Sequence, residues 1–237
     1  MSTEEQKKEQ TSGKYKVTEF RGPVGLHINY STDDEDEFKA IQKLNEDKSK
    51  WKLQVDKDNI KVYSSSYKVN HKGKEVDNAM FYCEAIINHP ASEASKYLYT
   101  YALREKWETS LKKGKLLKEE KVSDNFTIMD YYSYTKLPLI YSDRDAVLRQ
   151  KSWNNYQDKK DCFLSHIKSI DHPDYPEKDK PVRAVYDMRC DYVKPIDATS
   201  CKYFVLARFD FKMSILVGQA AQGQAKAIKE FISVIGK

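Results

Sequence analysis

Apolar and polar residues alternate most regularly near the C-terminal end of the chain. In the stretch CKYFVLARFDF, one face carries the apolar residues Cys201, Tyr203, Val205, Ala207, Phe209 and Phe211. In the preceding stretch VRAVYDMRCDYV, one face carries Val182, Ala184, Tyr186, Met188, Cys190 and Tyr192, and the other carries Arg183, Asp187, Arg189 and Asp191. A period of two is typical of a half-buried strand. The two stretches therefore predict a β-hairpin with one dry face and one largely wet face.

The last stretch, MSILVGQAAQGQAKAIKEFISVIGK, changes to the period of a helix. Its apolar stripe consists of Met213, Leu216, Val217, Ala220, Ile228, Phe231 and Ile235. At 1.5 Å per residue the predicted helix is roughly 35 Å long. Small residues fill its first half, and they allow the helix to lie close against a sheet.

The other patterns complete an alternation of helices and strands. STDDEDEFKAIQKLNED and HPASEASKYLYTYALREKW predict helices, because each combines start signals with an apolar stripe. The strand predictions are WKLQVDKDNIKVYSSSY, NAMFYCEAII, KLLKEEKV, NFTIMDYYSYTKL, DRDAVLRQKSW and DCFLSHIKSI. The order is helix, three strands, helix, about six strands and a long helix, which indicates an α+β fold. Residues 1–30 are polar and aperiodic, so we expect a tail or arm there and one domain over residues 31–237.

Composition narrows the class of protein. The chain has 237 residues, of which 40% are hydrophobic and 32% charged, and this composition indicates a globular protein with an ample core. A net charge of +5 is too small for the usual footprint of a nucleic-acid binder. The four cysteines are far apart and have no C-x-x-C pair, so we expect them to be reduced core residues. No apolar run approaches the roughly 20 residues of a membrane span, and we expect a cytoplasmic monomer.

A proline interrupts an apolar run in the stretch KLPLIYSDRDAVLRQ. The run consists of Leu137, Pro138, Leu139, Ile140 and Tyr141. Because proline cannot donate to a β-ladder, the run predicts a loop rather than a central strand. We expect Asp143, Arg144 and Asp145, which follow the loop, to anchor its base.

Several of these stretches, in this order, resemble the START domain, the steroidogenic acute regulatory protein-related lipid transfer family. They are WKLQVDKDNIKVYSS, LREKW, PLIYSDRDAV, VRAVYDMRCDYVKP and ARFDF. The resemblance covers residues 36 to 237. It implies a helix-grip fold, in which a curved antiparallel sheet wraps the long C-terminal helix and the tunnel between them holds one lipid. Family members carry or sense phospholipids, sterols or sphingolipids, and the resemblance implies neither a cofactor nor a metal.

The resemblance also implies roles for the loop and the last helix. The loop of residues 137–141 and the first half of the helix would frame the tunnel mouth, and the loop would contact the membrane surface transiently. Lys112, Lys113, Lys115 and Lys118 would add attraction to an anionic bilayer, although a solvated strand end explains them equally well.

Three positions depart from the family pattern. Asp210 is kept before the last helix, but the glycine and Ile-Pro that often follow it are missing. Arg149 comes five residues after Arg144, where the family usually has six, and a shift of one residue turns a side chain to the opposite face. Glu108 stands where the family commonly has an aspartate.

A phospholipid would bring a charged head group, which calls for an arginine at the phosphate and an aromatic cage at a choline. Arg149 is the first candidate for the phosphate and Arg144 the second, and the alternative for both is a structural ion pair with Asp143, Asp145 or Asp130. The residues that we expect at the tunnel or head group, beside these two arginines and Asp145, are Trp107, Tyr132, Tyr134, Tyr186, Met188, Tyr203, Phe209, Phe211, Met213, Leu216, Val217 and Ala220. Met129 and Tyr131 are further candidates for the tunnel wall. The alternative for each of them is plain core.

The sequence favours a lipid carrier over two other classes. An enzyme of the helix-grip superfamily is disfavoured, because G-x-S-x-G, H-E-x-x-H and glycine-rich phosphate loops are absent and the five histidines are scattered. A non-catalytic sensing or interaction module with a filled cavity stays open. Among lipid carriers, the arginines and the aromatic surplus favour a phospholipid, with a sterol as the alternative.

Overall fold

The computed structural model describes residues 17–21, 27–31, 51–71, 74–108, 111–136, 142–156, 159–212 and 216–237. The chain forms two compact units, residues 1–50 and residues 51–237. In the first unit, β1 (Val17–Arg21) pairs antiparallel with β2 (His27–Ser31). This hairpin lies where the sequence pattern predicted a tail or arm without regular elements. The expected domain boundary after residue 30 stays a prediction.

The second unit is built on one large sheet. Its strands are β3 (Lys52–Lys57), β4 (Ile60–His71), β5 (Lys74–Ile87), β6 (Leu111–Lys121), β7 (Phe126–Thr135), β8 (Arg144–Asn154), β9 (Phe163–Ser169), β10 (Val182–Arg183), β11 (Val185–Pro195) and β12 (Cys201–Asp210). Nine of them lie in the order β3-β4-β5-β12-β11-β9-β8-β7-β6, and neighbouring strands are antiparallel. The short β10 pairs parallel with β8. Because β5 pairs with β12, early and late parts of the sequence meet in the middle of the sheet.

Three helices accompany the sheet in the described part of this unit: α1 (Ala91–Tyr99), α2 (Tyr101–Trp107) and α3 (Val217–Val234). The single helix predicted over residues 89–107 is broken at Thr100, whose backbone is extended. The backbone N–H of Thr100 donates to the carbonyl of Lys96 and so closes the last turn of α1. The carbonyl of Thr100 accepts hydrogen bonds from the backbone N–H groups of Leu103 and Arg104 and so begins α2. The break lets α2 take its own direction, and it turns Arg104 and Trp107 into the interior.

The face of the sheet that is turned toward α3 is called the inner face below, and the opposite one the outer face. Phe231 of α3 contacts Tyr203 of β12 and Trp107 of α2, with ring centroids 5.0 and 5.2 Å apart. Ile228 and Ile235 are buried beside it. The alternation predicted for β12 is confirmed, since its apolar residues from Cys201 to Phe209 belong to this core.

The alternation predicted for β11 is wrong beyond Tyr186. Tyr186 pairs with Phe209 and Met188 pairs with Arg208, so Asp187 is an extra residue that forms a β-bulge. A bulge reverses the faces of every residue that follows it. Met188, Cys190 and Tyr192 therefore point to the outer face, and the charged residues that were expected to be wet, Arg189 and Asp191, point to the inner face.

Candidate functional site

Arg189 and Asp191 on β11 form an ion pair on the inner face. Nε of Arg189 lies 3.2 and 3.1 Å from the two oxygens of Asp191, and its Nη2 lies 2.9 Å from Oδ1. Asp191 has no exposed surface. Burial alone would raise the pKa of Asp191, but the charge of Arg189 and the hydrogen bonds from Arg189 and Tyr203 lower it below its ordinary value. The pair is therefore ionised in the folded protein.

Two neighbouring strands complete the hydrogen bonding of this carboxylate. The hydroxyl of Tyr203 on β12 donates to Oδ1 of Asp191 at 2.5 Å, and the hydroxyl of Ser165 on β9 donates to Oδ2 at 3.2 Å. Burial and the negative charge of Asp191 raise the pKa of Tyr203 well above its ordinary value, so its proton stays available for this bond. Every oxygen of Asp191 is thus occupied by protein donors.

A second buried arginine, Arg104, enters the interior from α2. Its Nη2 donates to Oε1 of Gln150 at 2.7 Å, and its Nη1 lies 3.3 Å from a carboxylate oxygen of Glu108. Its guanidinium also lies over the rings of Tyr131 and Trp107, at 5.3 and 5.6 Å from the centroids. Among the described residues, Nε of Arg104 has no hydrogen-bond partner although it is buried.

Gln150 holds this arginine in place. Its side-chain amide donates to the carbonyl of Leu98, at the end of α1, at 3.0 Å and to the hydroxyl of Ser152 at 2.9 Å. Gln150 is fully buried. Both polar atoms of its side-chain amide are therefore hydrogen-bonded within the protein. The residues described so far form the interior polar cluster: Arg104, Gln150, Ser165, Arg189, Asp191 and Tyr203.

Apolar side chains surround the interior polar cluster. On the β7–β9 side, the buried residues are Met129, Tyr131, Ala146, Leu148 and Ile167. On the β5–β12 side, Phe81 stacks on Phe209 at 5.9 Å between ring centroids, and Phe209 contacts Tyr186 and Phe211 at 5.8 and 4.9 Å. A polar centre inside apolar walls is the arrangement that a small amphiphilic ligand needs.

The structure does not bring Arg149 to the inner face. In the pairing of β7 with β8, Arg149 stands opposite Asp130, while the neighbouring Leu148 stands opposite Tyr131 in the core. Nε and Nη2 of Arg149 donate to the two oxygens of Asp130 at 2.7 and 2.6 Å on the outer face. This is the ion pair that the sequence left open as the alternative to a phosphate contact.

Arg144 and Asp145 hold chain segments together instead of facing the cluster. Nε of Arg144 donates to the carbonyl of Phe211 at 2.6 Å, and its Nη1 donates to the carbonyl of Ser142. Asp145 accepts two hydrogen bonds from Arg183, at 2.8 and 3.1 Å. Arg144 thus ties the start of β8 to the segment before α3, and Asp145 ties it to β10. That these residues anchor the base of the loop stays a prediction.

The other predicted aromatic residues are divided between the faces. Tyr186, Tyr203, Phe209 and Phe211 lie on the inner face. Tyr132 stacks on Tyr175 on the outer face with ring centroids 4.6 Å apart, and Tyr134 donates to Asp143 there. Trp107 is buried against α3, and its indole N–H donates to the carbonyl of Tyr97 at 3.0 Å, so it supports the core.

The beginning of α3 differs from the prediction. Leu216 and Val217, which were expected to line a tunnel, are 70% and 39% exposed. Ala220 is half-buried against the core, and the neighbouring Ala221 is fully buried. Met213 and the predicted membrane-contact loop, residues 137–141, lie outside the described residues.

Sequence reasoning missed most of the interior polar cluster. Arg189 and Asp191 were assigned to a wet face, and Arg104, Gln150 and Ser165 were not considered. For Arg104 a signal was available, because it precedes Trp107 by three residues and so shares its helix face. For Arg189 and Asp191 the alternation in the sequence gave the wrong face, because it does not show the bulge that turns both side chains inward.

No group of three or more His, Cys, Asp or Glu side chains in the described ranges is arranged to hold a metal ion. None of the helices in the same ranges is long and apolar enough to cross a membrane.

Comparison with known proteins identifies the family. The sequence profile of the START domain matches residues 33–219, most of the chain. The chain belongs to the START domain family. The sequence matches none of the curated proteins with which it was compared.

Three solved structures share the fold. Human STARD10 has 19% identity and a TM-score of 0.66 over 84% of this chain and 78% of that chain. Human StAR-related lipid transfer protein 5 has 16% identity and a TM-score of 0.65, over 86% and 92%. A STAR-related lipid transfer protein from Xanthomonas axonopodis has 20% identity and a TM-score of 0.57, over 79% and 99%. The predicted helix-grip fold of this START domain is confirmed.

Proposed function

We propose that this START domain binds one lipid between the inner face and α3 and exchanges it with membranes. The observation that carries the proposal is the environment of Arg189. This side chain lies deep in the protein, yet 18% of its surface is accessible. Such a combination is typical of a side chain that borders an enclosed space, and an amphiphilic ligand would place its polar end there.

Energetics explain why a lipid carrier needs these apolar walls. A chain of sixteen carbons loses roughly 12 kcal/mol on leaving a bilayer, at about 0.8 kcal/mol per methylene, unless it is buried again. The inner face supplies aromatic and aliphatic side chains for that purpose, and Tyr186, Phe211 and Ala220 remain half-buried on it. Their remaining accessible surface supports the view that the inner face is not completely filled by its own core.

The start of α3 supports contact with a membrane. Leu216 and Val217 expose apolar surface next to each other. An exposed apolar pair gains free energy on entering a bilayer interface. We place the membrane contact of this START domain at these two residues together with the loop of residues 137–141.

The remaining parts of the proposal follow from the carrier role. We propose a phospholipid as the ligand, with a sterol as the alternative, and a monomer that works in the cytoplasm without catalysis or nucleic acid. The phospholipid assignment does not rest on Arg149 or Arg144, because the structure pairs both with other parts of the protein. It rests on Arg104 and Arg189, the two arginines of the interior polar cluster. The names of two relatives, which include the words lipid transfer, agree with the carrier role.

Native mass spectrometry of the purified protein, followed by extraction and identification of the bound lipid, tests this function. We expect a one-to-one complex with a phospholipid. A bound sterol would keep the carrier role and remove the phospholipid assignment. A protein that is empty and also takes up no lipid from vesicles would contradict lipid binding and favour an interaction module.

A further inference from the structure

Three exposed lysines lie together at one corner of the sheet and are called the basic corner below: Lys113, Lys115 and Lys136. The first two are on β6 and stand opposite Tyr134 and Tyr132 of β7, so they point to the outer face. The third follows the end of β7 and directly precedes the loop of residues 137–141. Since β6 is the last strand in the order of the sheet, its free edge has no neighbouring strand in the described part of the chain. The basic corner is therefore accessible from the side and from the outer face.

The lysines along β6 differ in their pairing. Lys118 lies 2.7 Å from a carboxylate oxygen of Glu120, and Lys121 lies 2.9 Å from one of Asp124. Within the ranges that the structure describes, the lysines of the basic corner take part in no ion pair. Of the two other lysines considered from the sequence, Lys118 is thus already paired, and the side chain of Lys112 lies outside the described part. The charges that remain available are those nearest the loop.

Two carboxylates beside the start of β8 adjoin the basic corner. Asp143 accepts a hydrogen bond from the hydroxyl of Tyr134. Asp145 stands opposite Tyr134 and accepts two hydrogen bonds from Arg183, at 2.8 and 3.1 Å, so its charge is balanced. Even with Asp143 counted as a full negative charge, three lysines leave this corner with a net positive charge.

The basic corner lies at the same end of the sheet as the start of α3. Thr135, the neighbour of Lys136, pairs with Arg144, and Arg144 donates to the carbonyl of Phe211 in the segment that leads into α3. The exposed apolar residues at the start of α3 follow in the chain. Apolar side chains and available positive charges at one end of a protein match the two attractions that an anionic bilayer offers, burial of apolar surface and contact with negative head groups.

We propose that the basic corner binds the anionic lipid head groups of a bilayer and so directs this START domain to negatively charged membranes. This inference rests on the proposed function, because it names the kind of membrane with which the domain exchanges its lipid. Complementarity of charge carries it, since these lysines break no ion pair within the described residues when they meet the head groups. The attraction acts over about 8 Å at physiological ionic strength, so it orients the domain before apolar side chains enter the bilayer.

The test measures binding of the whole chain to vesicles by flotation. One set of vesicles consists of dioleoylphosphatidylcholine, and the other also contains about 30% dioleoylphosphatidylserine, which gives a negative surface. We expect tighter binding to the anionic vesicles by about tenfold to hundredfold at about 0.1 M salt. The difference should largely disappear at about 0.5 M salt, because salt screens the attraction between exposed lysines and head groups.

Variants decide whether the basic corner is responsible. Lys113→Gln combined with Lys115→Gln and Lys136→Gln should lose most of the preference for anionic vesicles, because each lysine near such a surface contributes about fivefold in affinity. The same three positions changed to arginine keep the charge and should keep the preference. All three residues are exposed, so the glutamine variant should fold and should take up lipid from neutral vesicles as the wild type does.

The opposite end of the sheet supplies the matched control. Lys57 in the turn after β3, Lys160 between β8 and β9, and Lys194 near the end of β11 are also exposed. Lys57→Gln combined with Lys160→Gln and Lys194→Gln changes the net charge by the same amount, and it should bind anionic vesicles like the wild type. Equal weakening in this control would assign the preference to net charge and overturn the inference.

Other outcomes also overturn the inference. Equal binding of the wild type to both kinds of vesicle, or wild-type binding by the glutamine variant, would leave the lysines the role of preventing strand pairing at an open edge. Binding of polyglutamate at the basic corner without binding of anionic vesicles would identify an acidic polypeptide as the partner. Lipid uptake, counted by native mass spectrometry in the same samples, decides the proposed function separately. A protein that takes up no lipid from either kind of vesicle contradicts that function, whichever vesicles it binds.

Discussion

The hydroxyl of Tyr203 donates a hydrogen bond of 2.5 Å to the carboxylate of Asp191, and this bond joins the neighbouring strands β12 and β11 within the interior polar cluster. Both side chains are almost completely buried. A buried carboxylate is tolerated only when its oxygens are bonded and its charge is paired. The Tyr203–Asp191 contact, with Arg189 and Ser165, meets both conditions.

Breaking this arrangement on one side should destabilise the protein strongly. We expect Arg189→Gln to lower the free energy of unfolding by about 3–5 kcal/mol, because Asp191 is then buried without a counter-charge. Urea denaturation measures the change. Arg189→Met combined with Asp191→Leu should recover most of the loss, since it leaves no unpaired charge. Equal losses in the two variants would show that side-chain volume, and not charge, is the cause.

The same pair predicts an acid dependence of stability. Burial opposes the ionised form of Asp191, but Arg189 and Tyr203 lower its pKa below the ordinary value of 3.8. Its contribution to stability is therefore complete above that value and is lost as the pH falls through the lower folded value. Between about pH 5 and about pH 2.5, wild type should lose more unfolding free energy than Arg189→Met with Asp191→Leu. An equal loss in both proteins would assign the acid sensitivity to other carboxylates.

Arg144 should control the segment that leads into α3. Its Nε donates to the carbonyl of Phe211 at 2.6 Å. We expect Arg144→Met to destabilise the protein by about 1.5–3 kcal/mol, and to speed amide hydrogen exchange in the first two turns of α3. Lys229→Met, which removes an exposed ion pair between α3 and Asp58, is the control and should change stability by less than about 1 kcal/mol. Unchanged exchange in Arg144→Met would remove its anchoring role.

The exposed start of α3 should matter for exchange with membranes and not for folding. Leu216 and Val217 are 70% and 39% exposed, so Leu216→Ser with Val217→Ser should leave the unfolding free energy within about 0.5 kcal/mol. Transfer of lipid between vesicles should become about tenfold slower, because the apolar surface that we propose for the membrane contact is lost. Ile196→Ser, at a 55% exposed position between β11 and β12, is the control. A similar slowing by Ile196→Ser would show that general surface polarity is responsible.

The thiols should be inert in the folded protein. All four cysteines are free and buried, and burial raises the pKa of Cys83 and of Cys201 to about 12. Because the thiolate is the reactive form, neither should be alkylated by iodoacetamide at about pH 8 until the protein unfolds. Mass spectrometry with and without urea compares the two states. Rapid alkylation of Cys83 or Cys201 in the native protein would contradict their burial in the core.

Regular patterns in the sequence predicted the regular parts of the fold. The alternation in β12 holds from Cys201 to Phe209 because each of these residues pairs with one residue of β11, and the extra residue of the bulge belongs to β11 and not to β12. The stripe of α3 holds at Ile228, Phe231 and Ile235, where the helix faces the sheet and α2. The same stripe fails at Leu216 and Val217, since periodicity does not tell where along a helix the covering layer ends.

The position of Arg149 depended on information that spacing alone does not contain. Its partner, Asp130, is fixed by the register of β7 against β8. That register is a property of the assembled sheet, in which each side chain has one neighbour directly across. The sequence therefore supplied the alternative of an ion pair but not the choice between it and a ligand contact.

The polar side chains of the interior were hidden for a different reason. A β-bulge often has a glycine at the extra position, but here the extra residue is Asp187, whose carboxylate accepts a hydrogen bond of 2.9 Å from Tyr67 on the outer face. An aspartate at a polar position of an alternating strand predicts a solvent-exposed side chain and gives no sign of a bulge. Only the pairing of β11 with β12 shows that Asp187 is an extra residue in its strand.

The bulge at Asp187 makes the number of residues in β11 as important as their types. Pairing the same residues without the bulge would restore the simple alternation and turn Met188, Cys190 and Tyr192 inward, while Arg189 and Asp191 would turn outward. Deletion of Asp187 would instead remove the bulge and keep Arg189 and Asp191 on the same face as Tyr186. The polar lining of the interior therefore depends on the extra residue as much as on Arg189 and Asp191, and a sequence alignment that places a gap at Asp187 would conceal this dependence.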